Sequence, residues 1–149
     1  MQRNCALALG IIFLLLGIAG FIPSLTTLPA ESLNTGGVGL DADSFYAKGF
    51  GYVFGAFPTN LMHNLVHVLV GILGIVAATT GNAKLYNRGF AISYAVIFLM
   101  GLIPLAKTTF GIMPVFGNNV WLNGLTGVIA GYYGFLGKED TTTTPELNA

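Results

Sequence analysis

Two histidines, His63 and His67, stand four residues apart in an otherwise apolar stretch, each preceded three residues earlier by an asparagine, Asn60 and Asn64. At about 100° per residue, Asn60, His63, Asn64, His67, Gly71, Gly74 and Ala78 fall within one helical stripe about 100° wide. A histidine pair at i and i+4 can chelate a metal from a single helix face. A single imidazole can also ligate the iron of a haem or the magnesium of a chlorin, or hydrogen-bond to a neighbouring helix. Zinc or copper would need further ligands. The sequence offers poor ones: Cys5 lies toward the opposite membrane face, and Glu31, Asp41 and Asp43 fall in a loop. No metal site is therefore expected. Haem held by two histidines needs them on opposite sides of the ring, which one face cannot supply. The reading preferred is a His–Asn hydrogen-bond cluster holding helices in register, with a haem or chlorin pigment on His63 or His67 as the alternative.

A second stripe resembles the first. Asn119, Asn123, Thr126, Ala130 and Gly134 recur at helical spacing, with Gly127 and Gly131 beside them. Small residues let backbones approach, and Asn or His bonds across the gap, so the two stripes are expected to meet. A small-solute or proton conduit through His67 is a second alternative. Transporters usually keep an intramembrane carboxylate or a broken helix at mid-depth, and here every Asp and Glu lies in loops or tail. Neither a carboxylate pair nor a Ser-His-Asp arrangement is present, so an enzyme is not expected.

The elements that position these residues follow from composition. Of the 149 residues 54% are hydrophobic and only 8% charged, with six basic and six acidic residues and no net charge. A soluble domain carries about 25% charged residues. Those values exclude an ordinary cytosolic globule, a disordered chain and a nucleic-acid binder; the partner implied is the lipid bilayer. A hydrocarbon core of about 30 Å needs about 20 apolar residues per helix. Four segments qualify, at about 4–22, 61–79, 90–106 and 120–136, and lipid requires them to be helices. The expected fold is all-α, a four-helix transmembrane bundle over residues 1–137. The first segment is read as a retained helix, because its apolar run is longer than a leader core.

Charge sets the orientation. Arg3, Lys84, Arg88 and Lys138 would lie in the cytoplasm and Lys48 and Lys107 outside, with both termini cytoplasmic. Residues 81–89 then form a tight inner loop and residues 23–60 a long outer one. The outer loop is aromatic from Phe45 to Phe57 and is expected to lie along the interface. The tail, 138–149, is Thr-rich and expected to be disordered. An internal repeat is suggested by His63-x3-His67-x3-Gly71 against Asn119-x3-Asn123-x3-Gly127, which would make two duplicated helical hairpins.

Certain segments go further than composition. Gly17-Ile18-Ala19-Gly20-Phe21-Ile22-Pro23, the stretch Phe54-Gly55-Ala56-Phe57-Pro58-Thr59-Asn60-Leu61-Met62-His63-Asn64-Leu65-Val66-His67 with Gly71, and Tyr86-Asn87-Arg88 resemble a bacterial family of four-span membrane proteins, domain of unknown function 4383. The resemblance covers about residues 5–137 and implies four spans in a bacterial membrane. That family's fourth span usually opens with Asp and has His four residues later, where this chain has Asn119 and Asn123. The departure weakens any mechanism needing histidines from both hairpins. The resulting expectation is a non-enzymatic structural or accessory component of a membrane assembly, in the inner membrane, alongside other subunits or further copies of itself.

Overall fold

A computed structural model describes residues 1–28, 35–41 and 43–137. The chain is mostly helical. Among the described residues four α-helices run in order: α1 Gln2–Ala19, α2 Leu61–Thr79, α3 Ala83–Leu102 and α4 Asn118–Gly131. The first three are long and apolar enough to cross a membrane, which points to an integral membrane protein. The α-helical part of α4 has 14 residues, and a π-helical turn over Tyr132–Leu136 prolongs it. The tail expected to be disordered lies outside the described residues.

Each helix divides its faces. On α2, His63, Asn64, His67, Gly71 and Gly74 are buried, whereas Leu65, Leu69, Ile72, Leu73 and Val76 are exposed. On α1, Ile11, Ile12, Leu15 and Ile18 face outward, as do Ile92, Val96 and Leu99 on α3 and Trp121, Leu125 and Val128 on α4. A belt of exposed aliphatic side chains is unstable in water and suits acyl chains as solvent. The inward sides meet around Phe13, Phe90 and Tyr94. Phe90 and Tyr94 stack with centroids 3.8 Å apart, and Phe13 meets both edge-on.

Three expectations are corrected. The chain is not all-α: β1 Thr26–Thr27, β2 Gly51–Val53 and β3 Phe57–Thr59 form an antiparallel sheet in the order β1-β2-β3. Val53 pairs with Phe57 across a turn in which Phe54 and Gly55 both have positive φ. Glycine supplies that conformation freely at the second position. Next, residues 81–89 are not a loop. Gly81 makes the turn at φ 80°, and α3 starts at Ala83. Hydropathy marks where lipid begins, and a helix can start in the headgroup layer before that point. Finally, α2 does not pack mainly on α4. It lies along α1, and α3 lies along α4. A Cβ on Gly71 would press on the Leu14 backbone of α1, 2.7 Å from its Cα, and one on Gly74 would meet Gly10 Cα at 2.8 Å. Gly127 and Gly131 instead face α3, next to Tyr94 and Ala91.

Opposite ends of the molecule are tied differently. At one end Gln2 Nε2 donates to the Gly137 carbonyl (3.1 Å), Asn87 Nδ2 to the Gln2 carbonyl (3.0 Å) and Arg88 Nε to the Gly134 carbonyl (2.8 Å). The other end carries a cap made of the sheet and residues 103–117. Tyr52 and Phe116 of this cap form a second cluster with Tyr46 and Phe50.

Candidate functional site

A group of buried polar residues converges where α2 and α4 begin, under the cap. Pro58 fixes the backbone into α2 and Asn60 caps that helix, its Oδ1 accepting from the His63 N–H at 3.0 Å. A capping Asn satisfies one of the four amides that open a helix. The amide nitrogen of Asn60 then donates to two carbonyls, Tyr46 at 3.1 Å in its own loop and Ile112 at 2.7 Å in the loop ahead of α4. Asn119 mirrors this. Its Nδ2 donates to Pro114 at 3.1 Å in its own loop and to Pro58 at 2.7 Å in the loop ahead of α2. Each asparagine thus clasps the loop of the other, and both are completely buried. Asn118 adds a bond to the Ala56 carbonyl at 3.1 Å.

One turn further in, His63 and His67 face each other. Their Nε2 atoms are 2.9 Å apart and their rings meet edge to face. One Nε2 donates and the other accepts, so a single proton lies between them. Phe13 of α1 abuts the His67 ring at 4.9 Å. His63 Nδ1 is buried and has no hydrogen-bond partner among the described residues. Asn123 Nδ2 is likewise buried without a partner there. Asn64 accepts from the Thr59 hydroxyl, and its side chain occupies the space a Cβ on Gly20 would need. Thr126 donates back to the Leu122 carbonyl at 2.6 Å and so reaches no neighbouring helix through that bond.

The histidine pair is flanked by two cavities of about 10 Å³ each, the first lined by Pro58, Thr59, Asn119 and Leu122, the second by Tyr94, Met113, Val115 and Asn123. Each has room for about one water molecule. The polar ends of the α2 and α4 stripes therefore approach the same interior through side chains, although the two helices scarcely touch along their length.

A family model described as domain of unknown function (DUF4383) matches residues 3–136. The chain belongs to this family. No curated protein and no solved structure matches it. Both asparagine clasps, the histidine pair and its two cavities lie within the DUF4383 region.

A haem or chlorin does not fit this DUF4383 site as it stands. Organic cofactors occupy cavities of about 300–1,000 Å³, and the spaces beside His63 and His67 hold about 10 Å³ each. Among the described residues no group of three His, Cys, Asp or Glu converges.

Sequence reasoning passed over Met113 and Tyr94, which line the second cavity. Tyr94 lies on the buried face of α3 three turns from Ala83, a position readable once the start of that helix is fixed. Met113 had no such signal. It reaches the site because residues 103–117 fold back over α2.

Proposed function

We propose that all four helices, α4 with its π-helical extension included, cross a bacterial inner membrane with both termini in the cytoplasm, and that the protein acts without catalysis as a structural or accessory component of a membrane assembly. The observation that carries this reading is the reciprocal clasp. Asn60 and Asn119, the most deeply buried polar side chains at the outer end, hold the two helix-entry loops against each other. Polar groups placed so stiffen a scaffold. The exposed aliphatic belt offers surface to lipid and to the helices of other subunits or of further copies. Gentle detergent extraction followed by native mass measurement tests the proposal. Co-purification with another membrane subunit or a defined oligomer is expected, and a lone monomer under every mild condition would count against it.

The conduit reading has one supporting observation, the two water-sized cavities on either side of the histidine pair. Inward of the pair the interior is filled by Phe13, Leu9, Phe90 and Ala130, all buried. Proteoliposomes holding the protein are expected to show no proton flux above that of empty vesicles.

A further inference from the structure

We propose that His63, His67 and Met113 form a binding site for a monovalent soft cation, copper(I), reached from the capped face of the molecule. This goes beyond the scaffold reading and does not depend on it. The two Nε2 atoms already point at one spot, 2.9 Å apart. Two nitrogen donors at about 2.0 Å from one ion, at a tetrahedral angle, stand about 3.3 Å apart. Small rotations of the two rings supply the difference. The proton now between the rings need not leave the protein: shifted to Nδ1 of its own ring, it frees both Nε2 lone pairs. On His63 the receiving Nδ1 is buried and carries no hydrogen bond among the described residues, so its lone pair is open to that proton.

Met113 supplies the third donor. It lines the same cavity as both histidines, and its backbone is held from both sides by Thr109, whose Oγ1 accepts from the Met113 N–H at 2.8 Å and lies 3.0 Å from the Met113 carbonyl. That turn passes through Thr109 and Phe110 at positive φ, a conformation side-chain-bearing residues rarely adopt. Met113 is half-buried while both histidines are buried, so it is the most exposed of the three residues.

The donor set selects the ion. Two neutral imidazoles and a thioether carry no charge, and no carboxylate lines either cavity. A divalent ion would bring an uncompensated double charge into a buried site, which is strongly unfavourable. A single positive charge with a soft, polarisable shell suits thioether and imidazole, the preference of copper(I).

The test uses the full chain in detergent, with Cys5→Ala removing the sole thiol as a competitor. The protein is titrated anaerobically with copper(I) against bicinchoninate, and X-ray absorption is recorded on the bound ion. One equivalent is expected to stay on the protein, with nitrogen scatterers at about 2.0 Å and one sulfur at about 2.3 Å. His67→Leu should abolish retention. Met113→Leu, a same-size change at a half-buried position, should leave helicity unchanged, remove the sulfur signal and weaken binding by about tenfold or more. Silver(I), which has no accessible redox step here, should follow the same pattern. Complete stripping by the chelator, as expected if the cavity holds water alone, would overturn the proposal. So would copper bound equally well by the His67 and Met113 variants, or bound with no sulfur neighbour.

Discussion

Asn60 shows how much one side chain does at the entrance to α2. Its carbonyl oxygen caps the helix and its two amide hydrogens serve Tyr46 and Ile112. Asn60→Ala removes all three bonds at once. Loss of a cap costs about 1 kcal/mol, and a buried acceptor left unpaired costs about 1–3 kcal/mol. A destabilisation of about 2–4 kcal/mol is therefore expected in detergent unfolding monitored by circular dichroism. A cost under about 1 kcal/mol would mean that water replaces the amide and that the clasp is not closed. Asn119→Ala should behave alike, because it strands Pro58 and Pro114. The two changes should be less than additive, since each loosens the contact the other guards. His67→Leu loses one bond between neighbouring residues of a single helix, so its cost should be smaller, on the scale of about 0.6–2 kcal/mol for polar pairs in membranes.

At the scale of elements, α1 and α2 approach closely because glycines lie on both. Gly71→Ala would put a methyl carbon 2.7 Å from the Leu14 Cα, a backbone atom that moves only with its helix. A loss of about 1–3 kcal/mol is expected from such overpacking. Gly89→Ala is the internal comparison. It sits within α3 with nothing within 4 Å of the new carbon, so it should stabilise by about 0.5–1 kcal/mol through helix propensity alone. Melting temperatures that fell for both, or for neither, would refute this account of where the helices touch. The cap is expected to respond to alkali. Burial, with a smaller contribution from Tyr52, pushes the Tyr46 phenol above its ordinary range, and its hydroxyl donates to the Thr35 carbonyl at 3.0 Å. Above about pH 10 the unfolded chain ionises this phenol while the folded chain keeps the proton, so stability falls as pH rises. Tyr46→Phe should flatten that fall; an unchanged slope would place its cause elsewhere. The extent of α2 and its polar stripe were legible, because Pro58 and Asn60 mark its start and the buried side of a lone helix shows in its periodicity. The sheet was not, since strands of two or three residues carry no period. The partner of α2 was misread because Gly71 and Gly74 fit any small-residue face, and the face of α1 containing Gly10 and Gly17 competes with that of α4.

For the molecule as a whole, the antiparallel order of the helices puts Arg3, Lys84 and Arg88 at one end and Lys48 and Lys107 at the other. The same division separates the two kinds of fastening: backbone carbonyls of the α4 extension bound by Gln2 and Arg88, and helix-entry loops bound by Asn60 and Asn119. By the positive-inside rule, the proposed orientation has the capped end outward. Single cysteines in a Cys5→Ala background test this, since Asp41 and Asn82 are both exposed and lie on either side of α2. In intact cells a membrane-impermeant maleimide should modify Asp41→Cys and leave Asn82→Cys untouched until the membrane is permeabilised. A C-terminal epitope should also appear only after permeabilisation, which requires α4 with its π-helical turn to complete the crossing that its 14 α-helical residues leave at about 21 Å. The reversed labelling pattern would invert the orientation and leave the fold intact. An epitope accessible beside Asp41→Cys would show that α4 enters the bilayer without crossing it, and the copper site would then sit in a three-span protein with its C-terminus outside.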